Sequence, residues 1–155
     1  MGLLTPLAVK IGAISWMPKA LPQIEKWDSR LQRFTSGRIT VLDIAGLPNL
    51  MLRVPGRKSG AIRSTPLLCV PHEGGWLIAG SYFGAQKMPV WVLNLRATET
   101  AEIIVDRETV SVTWREVSGA ERARLWDVMV GTWPNFTLYE KRTDRQIPVF
   151  VLTRR

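Results

Sequence analysis

The sequence of 155 residues predicts an α+β domain built on a mainly antiparallel sheet that closes into a barrel, with helices at its ends and sides. Three observations support this fold class. Short apolar runs separated by glycine-containing turns indicate strands from about residue 49 onward. Helical spacings of apolar residues precede that point and return in the last third of the chain. The hydrophobic fraction of 46% suffices for one globular core, and no internal repeat or long linker divides the chain.

The first part of the chain carries two amphipathic stretches. Apolar residues recur every three or four positions over residues 4–14 and again over residues 24–34, which predicts two helices. We therefore expect residues 1–38 to form a helical N-terminal extension and residues 39–155 to form the barrel domain. The apolar stripes favour packing on the core or in a homodimer interface, and they leave open contact with a membrane surface.

Short sequence patterns predict where the helices and strands after the N-terminal extension begin and end. Pro89 suits the first turn of a short helix, where its missing N–H would have no partner anyway. Ser118 and Glu121 have the spacing of a capping box, which predicts that a helix begins there. The predicted strands are 50–54, 67–70, 76–79, 101–105, 109–117 and 149–152, and the predicted helices are 90–97, 118–130 and 136–145.

Composition limits the classes of partner. The formal net charge of +8 attracts polyanions, namely nucleic acid, an anionic membrane surface or a strongly charged small molecule. The basic residues are scattered and no RNP-type aromatic motif appears, so nucleic acid is not expected. The apolar N-terminal run is shorter than the ~20 residues that span a bilayer, and no signal-peptide pattern is found. We expect a cytoplasmic protein, with peripheral attachment to the inner face of the plasma membrane left open.

The chain has one cysteine, Cys69, and one histidine, His72. This pair argues against a zinc site made by the protein alone and against most Ser–His or Cys–His nucleophilic schemes, so we expect no metal. Cys69 lies in an apolar run, which predicts a buried and inert thiol. If the chain is an enzyme, a bound cofactor carries its chemistry.

Residues 53–67 form the most informative stretch, because they read as a strand, a glycine-flanked basic turn and a returning strand. Gly56 and Gly60 permit positive φ, so backbone N–H groups can join the cationic side chains around a phosphate or carboxylate. A solvated basic hairpin tip is the open alternative. The turn lacks the first glycine of the G-x-x-x-x-G-K-[ST] nucleotide loop. The candidate anion-binding residues are Arg57, Lys58, Ser59, Arg63 and Thr65.

Four motifs in order complete the sequence pattern over residues 50–153. They are G-R-K-S-G at 56–60 with Arg63 and T-P-L at 65–67, K-x-P-x-W-x-x-N-L at 87–95, the capping box with E-R-A-R-L-W at 121–126, and T-D-R-x-I-P-V at 143–149. With these motifs the chain resembles the deazaflavin-dependent nitroreductase family of actinobacterial oxidoreductases, which use coenzyme F420. The resemblance implies a split β-barrel.

The resemblance also supplies the anion, since coenzyme F420 carries a phosphodiester and a poly-γ-glutamate tail. It implies that the basic turn clamps the phosphate and that Arg63 and Lys87 reach the phosphate or the tail. Trp91 and Asn94 lie three residues apart on one helix face and would wall the deazaflavin ring. A core tryptophan and a core asparagine are the open alternative. The implied cofactor-binding residues are Arg57, Lys58, Ser59, Arg63, Thr65, Pro66, Leu67, Ser81, Lys87, Trp91 and Asn94.

The implied reaction is hydride transfer from reduced F420 to a flat apolar acceptor, namely a quinone, an activated alkene such as an enone, or a nitroaromatic. The resemblance places Ser81 near the reactive region of the ring and makes Tyr139 the best candidate for the proton donor. Trp133, Phe136 and Tyr139 would line the substrate pocket, with a plain aromatic core stripe as the alternative.

One departure from the family pattern bears on the substrate. Residues 81–85 read S-Y-F-G-A where nitroimidazole-reducing relatives read S-K-G-G-A, and tyrosines are replaced at positions 133 and 136. These changes argue against efficient reduction of bicyclic nitroimidazoles and favour a quinone or an enone. Two other functions stay open: a non-catalytic F420- or lipid-binding protein, and an FMN- or haem-binding split-barrel relative.

Overall fold

The computed structural model describes residues 47–155, so the predicted extension over residues 1–38 lies outside the described residues. Seven strands, three α-helices and a single 3-10 turn, Tyr82–Gly84, make up the described part. The strands are β1 Asn49–Pro55, β2 Ile62–Leu68, β3 Val70–His72, β4 Gly75–Ala79, β5 Thr100–Val105, β6 Glu108–Glu116 and β7 Val149–Arg154. The helices are α1 Val90–Arg96, α2 Gly119–Thr132 and α3 Asn135–Arg142.

The seven strands form one sheet in the order β2-β1-β5-β6-β7-β4-β3, and each neighbouring pair is antiparallel. The two outer strands of this order, β2 and β3, are consecutive in the chain and are separated by Cys69 alone. The two edges of the sheet are therefore covalently continuous, which requires the sheet to curl round on itself. The backbone N–H of Cys69 donates to the carbonyl of Pro48 at 3.0 Å and holds this corner against the start of β1.

The concave side of the curled sheet encloses one hydrophobic core. Alternate residues of the strands point inward, as the two-residue period of a strand requires, and α1 fills the opening with Trp91, Val92 and Leu95. Phe150 is fully buried, and its ring lies 5.7 Å from the ring of Trp91. Helix α1 is thereby fixed against β1, next to the turn that joins β1 to β2.

A second hydrophobic core lies between the sheet and helices α2 and α3. Leu77 and Val149 contribute from β4 and β7, the neighbours of the residues that face the first core. The helices contribute Met129, Phe136 and Tyr139, all at most 3% exposed. The predicted aromatic stripe at 133–139 consequently lies in a different core from Trp91 and Asn94.

Most predicted elements are present with ends shifted by one to three residues. The strand predicted at 67–70 is an exception, because β2 begins at Ile62 and the predicted run is divided at Cys69 between β2 and β3. The predicted capping box is not formed. Ser118 precedes α2 without a side-chain capping hydrogen bond. The carboxylate of Glu121 is instead held by Arg115 of β6, at 2.5 and 3.1 Å. Because this ion pair draws Glu121 toward the sheet, the reciprocal contact with Ser118 is lost. Helix α3 also ends at Arg142 rather than at 145.

Candidate functional site

The basic turn between β1 and β2 is closed by its own backbone. The N–H of Gly56 donates to the carbonyl of Ala61 at 2.8 Å, and the N–H of Gly60 donates to the carbonyl of Gly56 at 2.8 Å. Gly60 has φ +74°, the left-handed conformation expected from the sequence. The Ser59 hydroxyl accepts a hydrogen bond from the N–H of Ala61 at 3.2 Å, so this side chain also belongs to the turn.

The cations of the turn lack acidic partners. Arg57, Lys58 and Arg63 are exposed, and none forms an ion pair with a carboxylate of residues 47–155. By contrast, Arg53 in the adjacent strand pairs with Glu102. No Asp or Glu occurs between residues 53 and 72, so the local charge is positive throughout. An uncompensated cluster of this kind attracts an external anion.

Asn94 connects the turn to helix α1. Its side-chain oxygen accepts hydrogen bonds from the Arg57 backbone N–H at 3.1 Å and from the Arg57 guanidinium at 3.3 Å. Asn94 is only 3% exposed, and these bonds satisfy its buried oxygen. The asparagine thus holds Arg57 at the entrance of the curled sheet. Trp91, one turn earlier on α1, is packed in the first core against Phe150.

The segment between β4 and α1 carries the next candidates, Ser81 and Lys87. The Ser81 hydroxyl makes no hydrogen bond to any described residue, and the side chain is half-buried. Lys87 is exposed and has no carboxylate partner in the described part of the chain. Because Pro89 follows at the start of α1, this segment leads directly to the helix that carries Asn94. Neither side chain is held by a hydrogen bond or an ion pair to the part of the chain that the structure describes.

Arg145 has a structural role that the sequence patterns do not predict. Its guanidinium donates to the carbonyls of Gly80, Ser81 and Ala85 at 2.9, 3.1 and 3.1 Å. Its place in the T-D-R motif at 143–145 was the available signal, but the motif alone does not reveal that its partners lie about sixty residues earlier.

The aromatic candidates are buried together. Trp133, Phe136 and Tyr139 are 5%, 3% and 2% exposed, and the Trp133 indole N–H donates to the Tyr139 hydroxyl at 3.2 Å. Burial raises the pKa of Tyr139 above its ordinary value, an effect that the hydrogen bonds with Trp133 and Asn135 and the charge of Arg142 partly offset. Tyr139 is thus a protonated phenol. Phe83 contacts it edge-on at 5.5 Å and links this cluster to the Ser81 segment.

A cleft of about 190 Å³ lies elsewhere, at the β3–β4 end of the sheet. It is lined by His72, Glu73, Arg115, Glu121 and Arg124, together with short stretches of β4, α2 and β7. None of the predicted site residues lines it. The Arg115–Glu121 ion pair supplies much of its charge, which leaves little net attraction for a ligand.

Comparison with known proteins identifies the family of this chain. The sequence profile of the F420H(2)-dependent quinone reductase family matches residues 26–154. The chain belongs to this family. An F420H(2)-dependent quinone reductase of Mycobacterium tuberculosis strain H37Rv is 35% identical over 136 residues, which cover 86% of this chain and 91% of that protein.

Two solved structures agree with this assignment. An F420-H2 dependent reductase is 33% identical with a TM-score of 0.63, covering 68% of this chain and 93% of that chain. A second structure, a domain-swapped dimer, is 28% identical with a TM-score of 0.65, covering 85% of this chain and 98% of that chain. The family resemblance and the split-barrel fold are thereby confirmed.

Family membership also confirms the predicted cofactor, since the family is defined by its use of F420H2, and it makes the chain an F420-dependent oxidoreductase. In the part of the chain that the structure describes, no helix is long and apolar enough to cross a membrane. The membrane contact considered for residues 1–38 lies outside that part.

Proposed function

We propose that this member of the family binds reduced F420 at the basic turn and transfers its hydride to a flat apolar acceptor, with a quinone as the preferred class. The observation that carries the proposal is the cation cluster of Arg57, Lys58 and Arg63, which lacks carboxylate partners among residues 47–155 and is tied to α1 through Asn94. A cofactor with a phosphodiester and several carboxylates matches this charge.

The donor set suits the proposed ligand. Arg57 and Lys58 would hold the phosphate, with the Ser59 hydroxyl and the backbone N–H groups of Lys58 and Ser59 as further donors, since the N–H groups of Gly56, Gly60 and Ala61 bond within the turn. Arg63 lies on β2, just after the turn, and Lys87 lies on the segment that leads into α1; both would take the phosphate or the tail carboxylates. Along β2, the half-buried residues Thr65, Pro66 and Leu67 would form one side of the cofactor site. Trp91 and Asn94 would support the ring from α1, Asn94 through its hold on Arg57.

When bound, reduced F420 supplies a hydride from C5 of its deazaflavin ring. The protein's own tasks are to orient the acceptor, to exclude water and to deliver a proton. We propose Ser81 ahead of Tyr139 for the proton, because the Ser81 hydroxyl has no partner among the described residues while the Tyr139 hydroxyl is held by Trp133 in a buried cluster. Tyr139 would then act with Trp133 and Phe136 as the rigid wall behind Phe83.

The acceptor class follows from the same surroundings. The residues next to Ser81, Tyr82 and Phe83, are aromatic. Their rings would give a flat apolar acceptor a surface to pack against, in place of a charged group. The related protein of M. tuberculosis carries quinone reductase in its name, which favours a quinone over an enone or a nitroaromatic. Anaerobic turnover of F420H2 with a naphthoquinone, a cyclic enone and a bicyclic nitroimidazole tests this order. A higher kcat/KM for the nitroimidazole than for the naphthoquinone would reverse it.

A non-catalytic F420-binding protein is the second candidate. The observation in its favour is that Tyr139, Trp133 and Phe136 are buried, so they leave few donors for a substrate. The same assays separate the two functions, because a binding protein would retain F420 affinity and would oxidise F420H2 with none of the acceptors.

A further inference from the structure

The backbone after β4 adopts an unusual conformation for its sequence. Tyr82, Phe83 and Gly84 have φ values of +46°, +53° and +82°, three consecutive residues in the left-handed region. Bulky side chains rarely adopt this region, and they stay in it only where the surrounding structure imposes it. Something outside residues 82–84 must therefore hold this turn.

Arg145 is the group that holds it. Its planar guanidinium directs separate N–H groups to the carbonyls of Gly80, Ser81 and Ala85, and so bridges the two ends of the turn. Lysine cannot reproduce this pattern, since its ammonium is a point charge without a fixed fork of donors. No carboxylate of residues 47–155 pairs with Arg145, so its contacts in this region are to the backbone of the turn and to Met88.

Further contacts secure the same segment from α3. The Arg142 guanidinium donates to the carbonyl of Phe83 at 3.2 Å. The Gln86 side chain donates to the carbonyl of Arg142 at 3.1 Å and accepts from the Thr143 hydroxyl at 3.0 Å. A Cβ at Gly84 would lie 2.7 Å from the carbonyl oxygen of Tyr139, so the turn is pressed against the helix. These contacts join the turn to α3 and to Thr143, which follows it.

We infer that Arg145 is a positioning residue: by clamping the backbone of residues 80–85, it fixes the Ser81 hydroxyl, which bonds to none of residues 47–155, in the direction needed for the reaction. The inference rests on the proposed function for what Ser81 meets, but the clamp itself is independent of any ligand. Arg145 touches neither cofactor nor substrate in this account. It acts only through the carbonyls that flank Ser81.

The clamp is tested first without cofactor, on the full chain, by amide hydrogen exchange of Gly84 and Ala85. Their N–H groups bond to the carbonyls of Ser81 and Tyr82 inside the turn. Arg145→Lys should accelerate exchange of both amides by about tenfold or more, because opening the turn no longer breaks three hydrogen bonds. Arg122→Lys is the matched control, since Arg122 also donates two N–H groups to one backbone carbonyl, that of Ile147, outside the turn.

The consequence for Ser81 is tested by a double-mutant cycle on turnover with F420H2. Ser81→Ala should lower kcat in the wild type and in Arg122→Lys, but should change kcat less than about twofold when added to Arg145→Lys. If Arg145 only stabilised the packing, Ser81→Ala would still lower kcat in the Arg145→Lys protein. If Arg145→Lys does not fold, Arg145→Gln replaces it, since a shorter amide side chain also lacks the planar fork of guanidinium donors.

The outcomes are separable. Unchanged exchange of Gly84 and Ala85 in Arg145→Lys, or in Arg145→Gln if the lysine variant does not fold, overturns the clamp whatever the ligand is. Accelerated exchange with a full Ser81→Ala effect in Arg145→Lys overturns the positioning role. Absence of F420 binding by the wild type overturns the proposed function, and with it the role assigned to Ser81, while the exchange result still decides on the clamp.

Discussion

The two hydroxyl groups considered as proton donors, those of Ser81 and Tyr139, have different surroundings. Ser81 is half-buried, and its hydroxyl has no hydrogen-bond partner among residues 47–155. Tyr139 is 2% exposed and accepts a hydrogen bond from Trp133. A group that must reach a bound substrate needs the first environment, whereas the second is typical of a satisfied core residue.

Substitution of each hydroxyl separates these roles. Ser81→Ala should lower kcat by about 10- to 100-fold, because a positioned donor is lost. Tyr139→Phe should change kcat less than about threefold, and should reduce the free energy of unfolding by about 1–2 kcal/mol since the Trp133 indole N–H loses its acceptor. Anaerobic steady-state kinetics and urea unfolding measure the two effects. An inactive Tyr139→Phe protein beside an active Ser81→Ala protein would show that the assignment is inverted.

Asn94 illustrates how far the sequence could predict a single residue. The three-residue spacing placed Trp91 and Asn94 on one face of a short helix, and both lie on that helix. The bond between Asn94 and Arg57 joins residues 37 positions apart, and no local pattern contains such a contact. Arg145 was unpredictable for the same reason, since its acceptors are backbone carbonyls that carry no sequence signature.

At the scale of elements, local chemistry predicted where helices and strands begin better than how they are secured. The Pro89 signal and the 106–108 turn place α1 and the β5–β6 hairpin to within a residue. The Ser118–Glu121 spacing predicted the start of α2 correctly but its capping wrongly, because Arg115 of β6 competes for Glu121. A pattern of four residues contains no information about a side chain of another element that competes for the same carboxylate.

Two glycines with left-handed backbone test whether the turn after β4 is pressed against α3. Gly84 has φ +82° and no room for a Cβ, which would lie 2.7 Å from the carbonyl oxygen of Tyr139, whereas Gly119 has φ +60° and open space. Gly119→Ala should cost about 1 kcal/mol of backbone strain. Gly84→Ala should cost about 2 kcal/mol more, because the helix must also move. Urea unfolding of both variants measures the difference, and equal costs would show that the turn and α3 are not in tight contact.

For the whole molecule, the antiparallel barrel was predicted, but the order of its strands was not. The order depends on pairing between distant segments, such as β1 with β5 and β4 with β7. The separation into two hydrophobic cores also follows from that order. Apolar periodicity predicts that Trp91 and Tyr139 are both suited to burial, and only the topology places them in different cores.

Cys69, at the corner that joins β2 to β3, should make the stability of the fold depend on pH. Burial, with a smaller contribution from Asp106, raises the pKa of Cys69 from 9.0 to about 12. A thiol that ionises more easily in the unfolded chain destabilises the fold as pH rises from about 9 toward 12, and stability is unaffected below pH 9. Between pH 9 and 10 the wild type should lose about 1 kcal/mol more than Cys69→Ala.

Urea unfolding at the two pH values, with reductant present, measures this difference. Burial also raises the pKa of Tyr139, but the resulting loss of stability begins near pH 10, the value for the unfolded chain, and is the same in the wild type and in Cys69→Ala, so it cancels from the difference. Identical pH dependence of wild type and Cys69→Ala would mean that the Cys69 thiol is not buried at the corner as described.

The central claim is that Arg57, Lys58 and Arg63, which have no carboxylate partner among residues 47–155, bind F420, and a titration of the full chain tests it most directly. Oxidised F420 is added while tryptophan fluorescence is followed, for the wild type, Lys58→Ala, and Lys141→Ala as an exposed lysine of α3. We predict a dissociation constant on the order of micromolar or tighter, weakened about tenfold or more by Lys58→Ala and unchanged by Lys141→Ala, with no binding of FMN. Absence of F420 binding, or an equal loss from both lysine substitutions, would contradict the account.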